Sequence, residues 1–132
     1  MKKLTELLLV GSGCFLGAVL RYGVKFLFDG VSGDLSILVV NILGGFLIGL
    51  FSAKAFESKL SAKKAKFLTT GFCGGLTTFS SFASGIVNDF LTGHLLLAAS
   101  YIVLNMILGL FFVYLGAKLI LKERFKEFIL QK

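Results

Sequence analysis

Four apolar stretches, at roughly residues 4–28, 35–53, 67–90 and 95–121, occupy most of this 132-residue chain. Each is close to or above the ~20 residues that a helix needs to cross the hydrocarbon core of a bilayer. Hydrocarbon offers no partner to a backbone N–H or C=O, so such stretches fold as helices. The chain therefore reads as an all-α membrane protein, with a single domain of four transmembrane helices over residues 1–132 and no length left for a soluble domain. Composition agrees, since 56% of the residues are hydrophobic, against ~45–50% in soluble domains. The first stretch is long and lacks a clear small-residue cleavage site, so it reads as a span and not as a cleaved signal peptide.

The positive charges set the orientation. Lys2, Lys3, Lys54, Lys59, Lys63, Lys64, Lys66, Lys118, Lys122, Arg124, Lys126 and Lys132 would share one side, and only Arg21 and Lys25 the other, a split of 12 against 2. The positive-inside rule then puts both termini in the cytoplasm of a multi-pass plasma-membrane protein. Basic residues placed at span ends do not suit a nucleic-acid partner. The tail Lys122–Lys132 alternates charge with Phe125, Phe128, Ile129 and Leu130, and is expected to extend the last helix along the membrane surface.

Enzyme chemistry has no foothold. HExxH, CxxC, Walker A and GxSxG elements are absent, and with them the groups those reactions need. Cys14 and Cys73 fall inside spans as small hydrophobes, and His94 falls in a loop. The acids Glu6, Asp29, Asp34, Glu57, Asp89, Glu123 and Glu127 all lie at span ends or in loops. A proton-driven antiporter would need a carboxylate in mid-membrane.

The third stretch departs from simple anchoring. Its run Gly71-Phe72-Cys73-Gly74-Gly75-Leu76-Thr77-Thr78-Phe79-Ser80-Ser81-Phe82 holds three glycines, four hydroxyls and three aromatic rings. The Gly74–Gly75 pair is expected to break the helix. A broken helix exposes carbonyls at the end of its first half and N–H groups at the start of its second. Phe79 and Phe82 share a face if the helix continues through them, and Thr77, Ser81 and Ser84 follow a similar track.

The other spans carry matching features. Gly13, Gly17 and Arg21 lie on one face of the first span, where the glycines let a neighbouring backbone approach. Arg21 either reaches the headgroups or faces protein or an aqueous vestibule. Asn41 in the second span is interhelical glue or a donor facing a permeating ligand, and Gly45 and Gly49 form a packing face. Tyr101, Asn105, Gly109, Phe112 and Gly116 form a stripe on the fourth span, either a packing seam or, through Tyr101 and Asn105, the wall of a wet cavity. Small-residue stripes on several spans imply oligomerisation. Amide and hydroxyl donors, with aromatic rings offered edge-on, suit a small anion. The residues alone thus point to an oligomeric channel for a small anion.

The run Gly71–Phe82 closely resembles the signature of the fluoride channel family, Fluc, also called CrcB. Gly17 with Arg21, and Asn41 with Gly44, match its other landmarks in order, across essentially the whole chain. The resemblance implies an antiparallel dimer with two fluoride pathways that exports cytoplasmic fluoride passively and so confers fluoride resistance. It implies that Phe79 and Phe82 are pore phenylalanines, that Asn41 is a polar pore residue, and that Ser80 and Ser81 belong to a polar track beside them. It also implies a structural sodium ion held by the backbone carbonyls of Gly74 and Thr77. Two departures stand out. Ile37 occupies a position where many members carry threonine, so one pore hydroxyl is missing. The charge split commits the chain to one orientation, which suggests a heterodimer with a homologue of opposite topology. The alternatives are a small multidrug-type transporter, which needs a membrane-embedded glutamate where this chain has only Glu6, and a non-conducting scaffold subunit.

Overall fold

The computed structural model describes residues 2–28 and 33–130. Asp29 and Lys132 lie outside the described residues, as does the end of the basic tail. Among the described residues, three helices are long and apolar enough to cross a membrane: α1 (Lys2–Leu27), α2 (Gly33–Phe56) and α6 (Leu95–Leu121). Helix α2 runs beyond the expected 35–53 at both ends, whereas α6 keeps its expected limits.

The stretch expected as the third span is not one helix. It runs as α3 (Ala62–Lys66), a π-helical segment (Phe67–Cys73), α4 (Gly74–Leu76) and, after an interruption, α5 (Phe79–Leu91). The interruption corrects the sequence reading. Gly74 and Gly75 remain helical, and the chain becomes extended at Thr77 (φ −77°, ψ 159°) and Thr78 (φ −150°, ψ 119°). The physical reason lies in the partners that the two threonines find, described below. Thr77 therefore does not share a helical track with Ser81 and Ser84.

The helices pair in two parallel couples. Asn41, Gly45, Gly49 and Ala53 of α2 meet Asn105, Gly109, Val113 and Ala117 of α6 in the same chain order. Gly13 and Gly17 of α1 likewise meet Gly71–Phe72 and then Phe72–Leu76 in order. Contact in both couples is backbone to backbone. A Cβ at Gly17 would overlap the Phe72 carbonyl, and one at Gly75 would overlap the Cys14 carbonyl. This is the small-residue seam by which membrane helices gain close packing where no hydrophobic effect drives them together. Gly75 therefore serves packing and not breakage, while Gly74, its neighbour, meets nothing within the subunit. Ala53, Ala117 and Leu121 form the buried cluster at the far end of the α2–α6 couple, with Phe56 and Ile120 packed on it.

Two turns finish the architecture. Between α5 and α6, Gly93 adopts φ +81°, a conformation open to a residue without Cβ. Its N–H donates to the Phe90 carbonyl at 3.2 Å, and the His94 N–H donates to Asp89 at 2.8 Å. At the end of α6, Lys122 takes φ 42°. The tail therefore does not extend the last helix. It turns through Lys122–Arg124 and resumes as the short α7 (Phe125–Leu130).

Candidate functional site

The interruption at Thr77–Thr78 leaves polar backbone groups in the middle of an apolar fold, where unpaired ones are costly. Neighbouring side chains take them up. The Thr78 N–H, which in a continuous helix would donate to the Gly74 carbonyl, donates instead to Asn41 Oδ1 at 3.0 Å. Asn41 Nδ2 donates to Asn105 Oδ1 at 3.1 Å and lies 3.5 Å from the Thr78 carbonyl. Asn105 in turn donates to the Tyr101 carbonyl at 3.0 Å. The Thr77 carbonyl accepts from Arg21 Nη1 at 3.0 Å, while the Thr77 hydroxyl returns to the Cys73 carbonyl at 3.0 Å. Gly44 makes room for the Thr77 methyl, since a Cβ there would overlap it.

Thr78 then starts α5. Its hydroxyl accepts the Ser81 N–H at 3.2 Å, the bond expected of a helix N-cap. The same hydroxyl lies 3.2 Å from both Ser80 Oγ and Ser81 Oγ. Three hydroxyls and the first amides of α5 are thus gathered at a helix N-terminus, where the dipole favours an anion.

An aromatic ladder climbs from the same point. The rings of Phe79 and Phe82 are 5.8 Å apart, and Phe82 lies 5.3 Å from Tyr101 on α6. Both pairs are tilted, at 51° and 47°, which turns ring edges toward neighbours. The edge is the positive part of the ring. Phe79 is 80% exposed, an unusual position for a phenylalanine in a packed fold.

A vestibule of about 810 Å³ opens beside the site, lined among others by Arg21, Lys25, Ile37, Ser80 and Ser81. Arg21 therefore both bonds to protein and lines this cavity, and Ile37 stands on its wall. A second, more apolar groove of about 450 Å³ runs past Asn41, Gly74, Thr77, Phe79, Phe82 and Met106.

The structure thus brings Asn41, Thr77, Phe79, Ser80, Ser81, Phe82 and Arg21 to one level of the molecule, with Gly74 a turn below. Three further residues belong with them. Tyr101 and Asn105 stood out in the sequence as a packing seam or a cavity wall, without a link to the third run. Thr78, 7% exposed, is the hub of the site, and its sequence signal is a threonine immediately before a helix start.

Gly74 and Thr77 bear on the implied sodium ion. Loss of the Thr78 N–H frees the Gly74 carbonyl from its helical partner. Gly74 is exposed, and a side chain added there would meet nothing within 4 Å. The Thr77 carbonyl has a second lone pair besides the one given to Arg21. Carbonyl oxygen is the donor type that a hard cation takes, so these residues fit the ion.

Glu6 is far from this level. It pairs with Lys66 at 2.8 Å on an exposed surface, as a helix-end ion pair would, not a transport carboxylate.

Comparison with known proteins agrees with this arrangement. A family model described as "CrcB-like protein, Camphor Resistance (CrcB)" matches residues 8–117. The "Fluoride-specific ion channel FluC" of Clostridium perfringens is 42% identical over 123 residues, covering 90% of this chain and 96% of the relative. That of Chlorobium phaeobacteroides is 40% identical over 119 residues, covering 88% and 92%. That of Shewanella pealeana is 38% identical over 120 residues, covering 89% and 97%. The motif at the helix interruption, the asparagine that bonds to it and this likeness over nearly the whole length place the chain in the CrcB family of fluoride channels.

Proposed function

We propose that the chain conducts fluoride passively across the plasma membrane and so lowers its toxicity in the cytoplasm. Hydrogen fluoride enters uncharged from acidic surroundings and ionises inside, and the trapped anion leaves down its gradient. The observation that carries this reading is the meeting of Asn41, Thr78, Ser80 and Ser81 with the Phe79–Phe82–Tyr101 ladder at the N-terminus of α5. Fluoride is small and accepts strong hydrogen bonds, so amide and hydroxyl donors can replace its water. Ring edges then carry it across the apolar stretch. Arg21 and Lys25 on the vestibule wall raise the local concentration of anions without placing a fixed charge at the centre.

The exposed Phe79, Gly74 and Met106 along the second groove support a dimer in which a second copy covers that face. Gly74 and Thr77 would hold a structural sodium ion at that seam, and the ion would supply a fixed positive charge between the subunits. The split of basic residues supports an N-in, C-in orientation and pairing with a homologue of opposite topology in an antiparallel dimer. The test is fluoride efflux from liposomes holding the purified chain alone, with chloride as control. Efflux from the chain alone establishes the channel and a homodimer. Efflux only after adding an oppositely oriented homologue establishes the heterodimer. Silence in both overturns the reading in favour of a scaffold subunit.

A further inference from the structure

Asp89 sits in the final turns of α5, yet it is only 5% exposed. Its Oδ2 is buried and has no hydrogen-bond partner. A buried carboxylate is paired, bound to a cation or neutralised, because its bare charge is too costly. The C-terminal end of a helix adds to the cost, since carbonyl dipoles there disfavour negative charge.

A second acid comes in from α2. The Asp34 carboxylate, in the first helical turn, fills the space beside Gly85 so closely that a Cβ there would overlap Oδ1. Gly85 and Asp89 are four residues apart and share a face of α5. Asp34 therefore stands against the same face of α5 as Asp89, one helical turn before it. Tyr101 of α6 closes the third side, its ring 3.3 Å from where a Cβ on Gly85 would stand. The Tyr101 hydroxyl is also buried, and the side chain that reaches toward it, Asn105 of its own helix, does so outside good hydrogen-bonding geometry.

Among the described residues no basic side chain forms an ion pair with either acid. The ion pairs among the described residues are Lys59–Glu57, Lys66–Glu6 and Arg124–Glu127. From α1, Arg21 is engaged with the Thr77 carbonyl, and Lys25 stands exposed on the vestibule wall. His94, at the start of α6, lies with Nδ1 2.9 Å from Thr92 Oγ1.

We propose that Asp34, Asp89 and Tyr101 form a site for one small positive charge, a sodium ion or a proton, held by oxygens between α2, α5 and α6. The vestibule reaches Asp34 and Gly85, which gives the ion a path from water. The site is distinct from the Gly74–Thr77 carbonyls and stands whether or not the chain conducts fluoride. Its occupancy removes one of two negative charges beside the Phe82–Tyr101 rings, so it also tunes the entry of an anion from this end.

The test is the melting midpoint of the purified protein, read in two arms. One replaces N-methylglucamine with sodium at constant pH and ionic strength. The other lowers pH in sodium-free buffer. In at least one arm the midpoint rises by on the order of 5 °C once the ion is well above half-saturation. Asp34→Asn and Asp89→Asn each remove most of that rise, and the response that remains belongs to other sites. A rise confined to the sodium arm identifies sodium, and one confined to the pH arm identifies the proton. Equal responses in wild type and both variants, or a flat wild type in both arms, overturn the proposal. If Asp89→Asn does not fold, the half-buried Asp34→Asn carries the test. The infrared stretching band of a protonated carboxyl reads the proton arm directly, and it disappears in Asp34→Asn if the pair shares a proton.

Discussion

Asn41 and Thr78 exchange the contacts that a continuous third helix would have made for itself: Asn41 Oδ1 takes the Thr78 N–H at 3.0 Å while its Nδ2 holds Asn105 at 3.1 Å. One amide thereby ties α2, α6 and the interrupted helix together. Replacing it by alanine leaves a buried N–H and a buried amide oxygen unpaired, at ~1–3 kcal/mol for each such group. Asn41→Ala is expected to lower the melting midpoint and to abolish fluoride efflux. Asn41→Asp, which keeps the acceptor for Thr78, is expected to recover part of the stability and little of the efflux.

The two phenylalanines separate transport from folding. Phe79 is 80% exposed in the subunit, so Phe79→Ile is expected to shift subunit stability by no more than ~0.5 kcal/mol, as for other exposed sites. It removes a ring edge, worth ~0.5–1.5 kcal/mol, and efflux is expected to fall about tenfold. Phe82→Ile loses the contact with Tyr101 as well, and is expected to reduce both efflux and thermal stability. Unchanged efflux in both variants would remove the rings from the pathway.

Gly74 and Gly75, adjacent in sequence, have opposite surroundings. A Cβ on Gly75 meets the Cys14 backbone, and one on Gly74 meets nothing. Gly75→Ala is expected to destabilise the fold by ~1–3 kcal/mol through overpacking. Gly74→Ala is expected to leave the subunit intact and to weaken subunit association, read by crosslinking or by dilution in detergent.

Arg21 donates to the Thr77 carbonyl from the vestibule wall. Hydrogen bonds to charged groups contribute ~1.5–3 kcal/mol, so Arg21→Gln is expected to lower the melting midpoint. Fluoride flux is expected to fall most at low ionic strength, where steering by charge is strongest. Flux of Arg21→Gln that matches wild type at all salt concentrations would confine Arg21 to a structural role.

Much of this was legible along the chain. Leu95–Leu121 was readable to the residue because a long apolar run has one stable form in lipid. Gly45–Gly49 and Gly13–Gly17 announced close helix approach, and α6 and the third run supply the backbones that approach them. The error at Gly74–Gly75 has the same root. A glycine pair signals either a weak helix or a tight contact, and the distinction lies in what stands opposite. Asp89 was placed at a span end, which is correct in sequence, but its burial depends on α2 and α6 folding over it.

The sequence by itself determined the all-α fold class, the position of the long apolar helices, the charge asymmetry and the cluster of hydroxyls and rings, because hydropathy, charge and residue type are properties of each position. Only the tertiary structure decided where the third helix stops. Helical hydrogen bonding of the Thr77 carbonyl and the Thr78 N–H is given up because Arg21 of α1 and Asn41 of α2, the latter held in place by Asn105 of α6, offer those backbone groups partners, and a bond between distant segments exists only once the helices have packed.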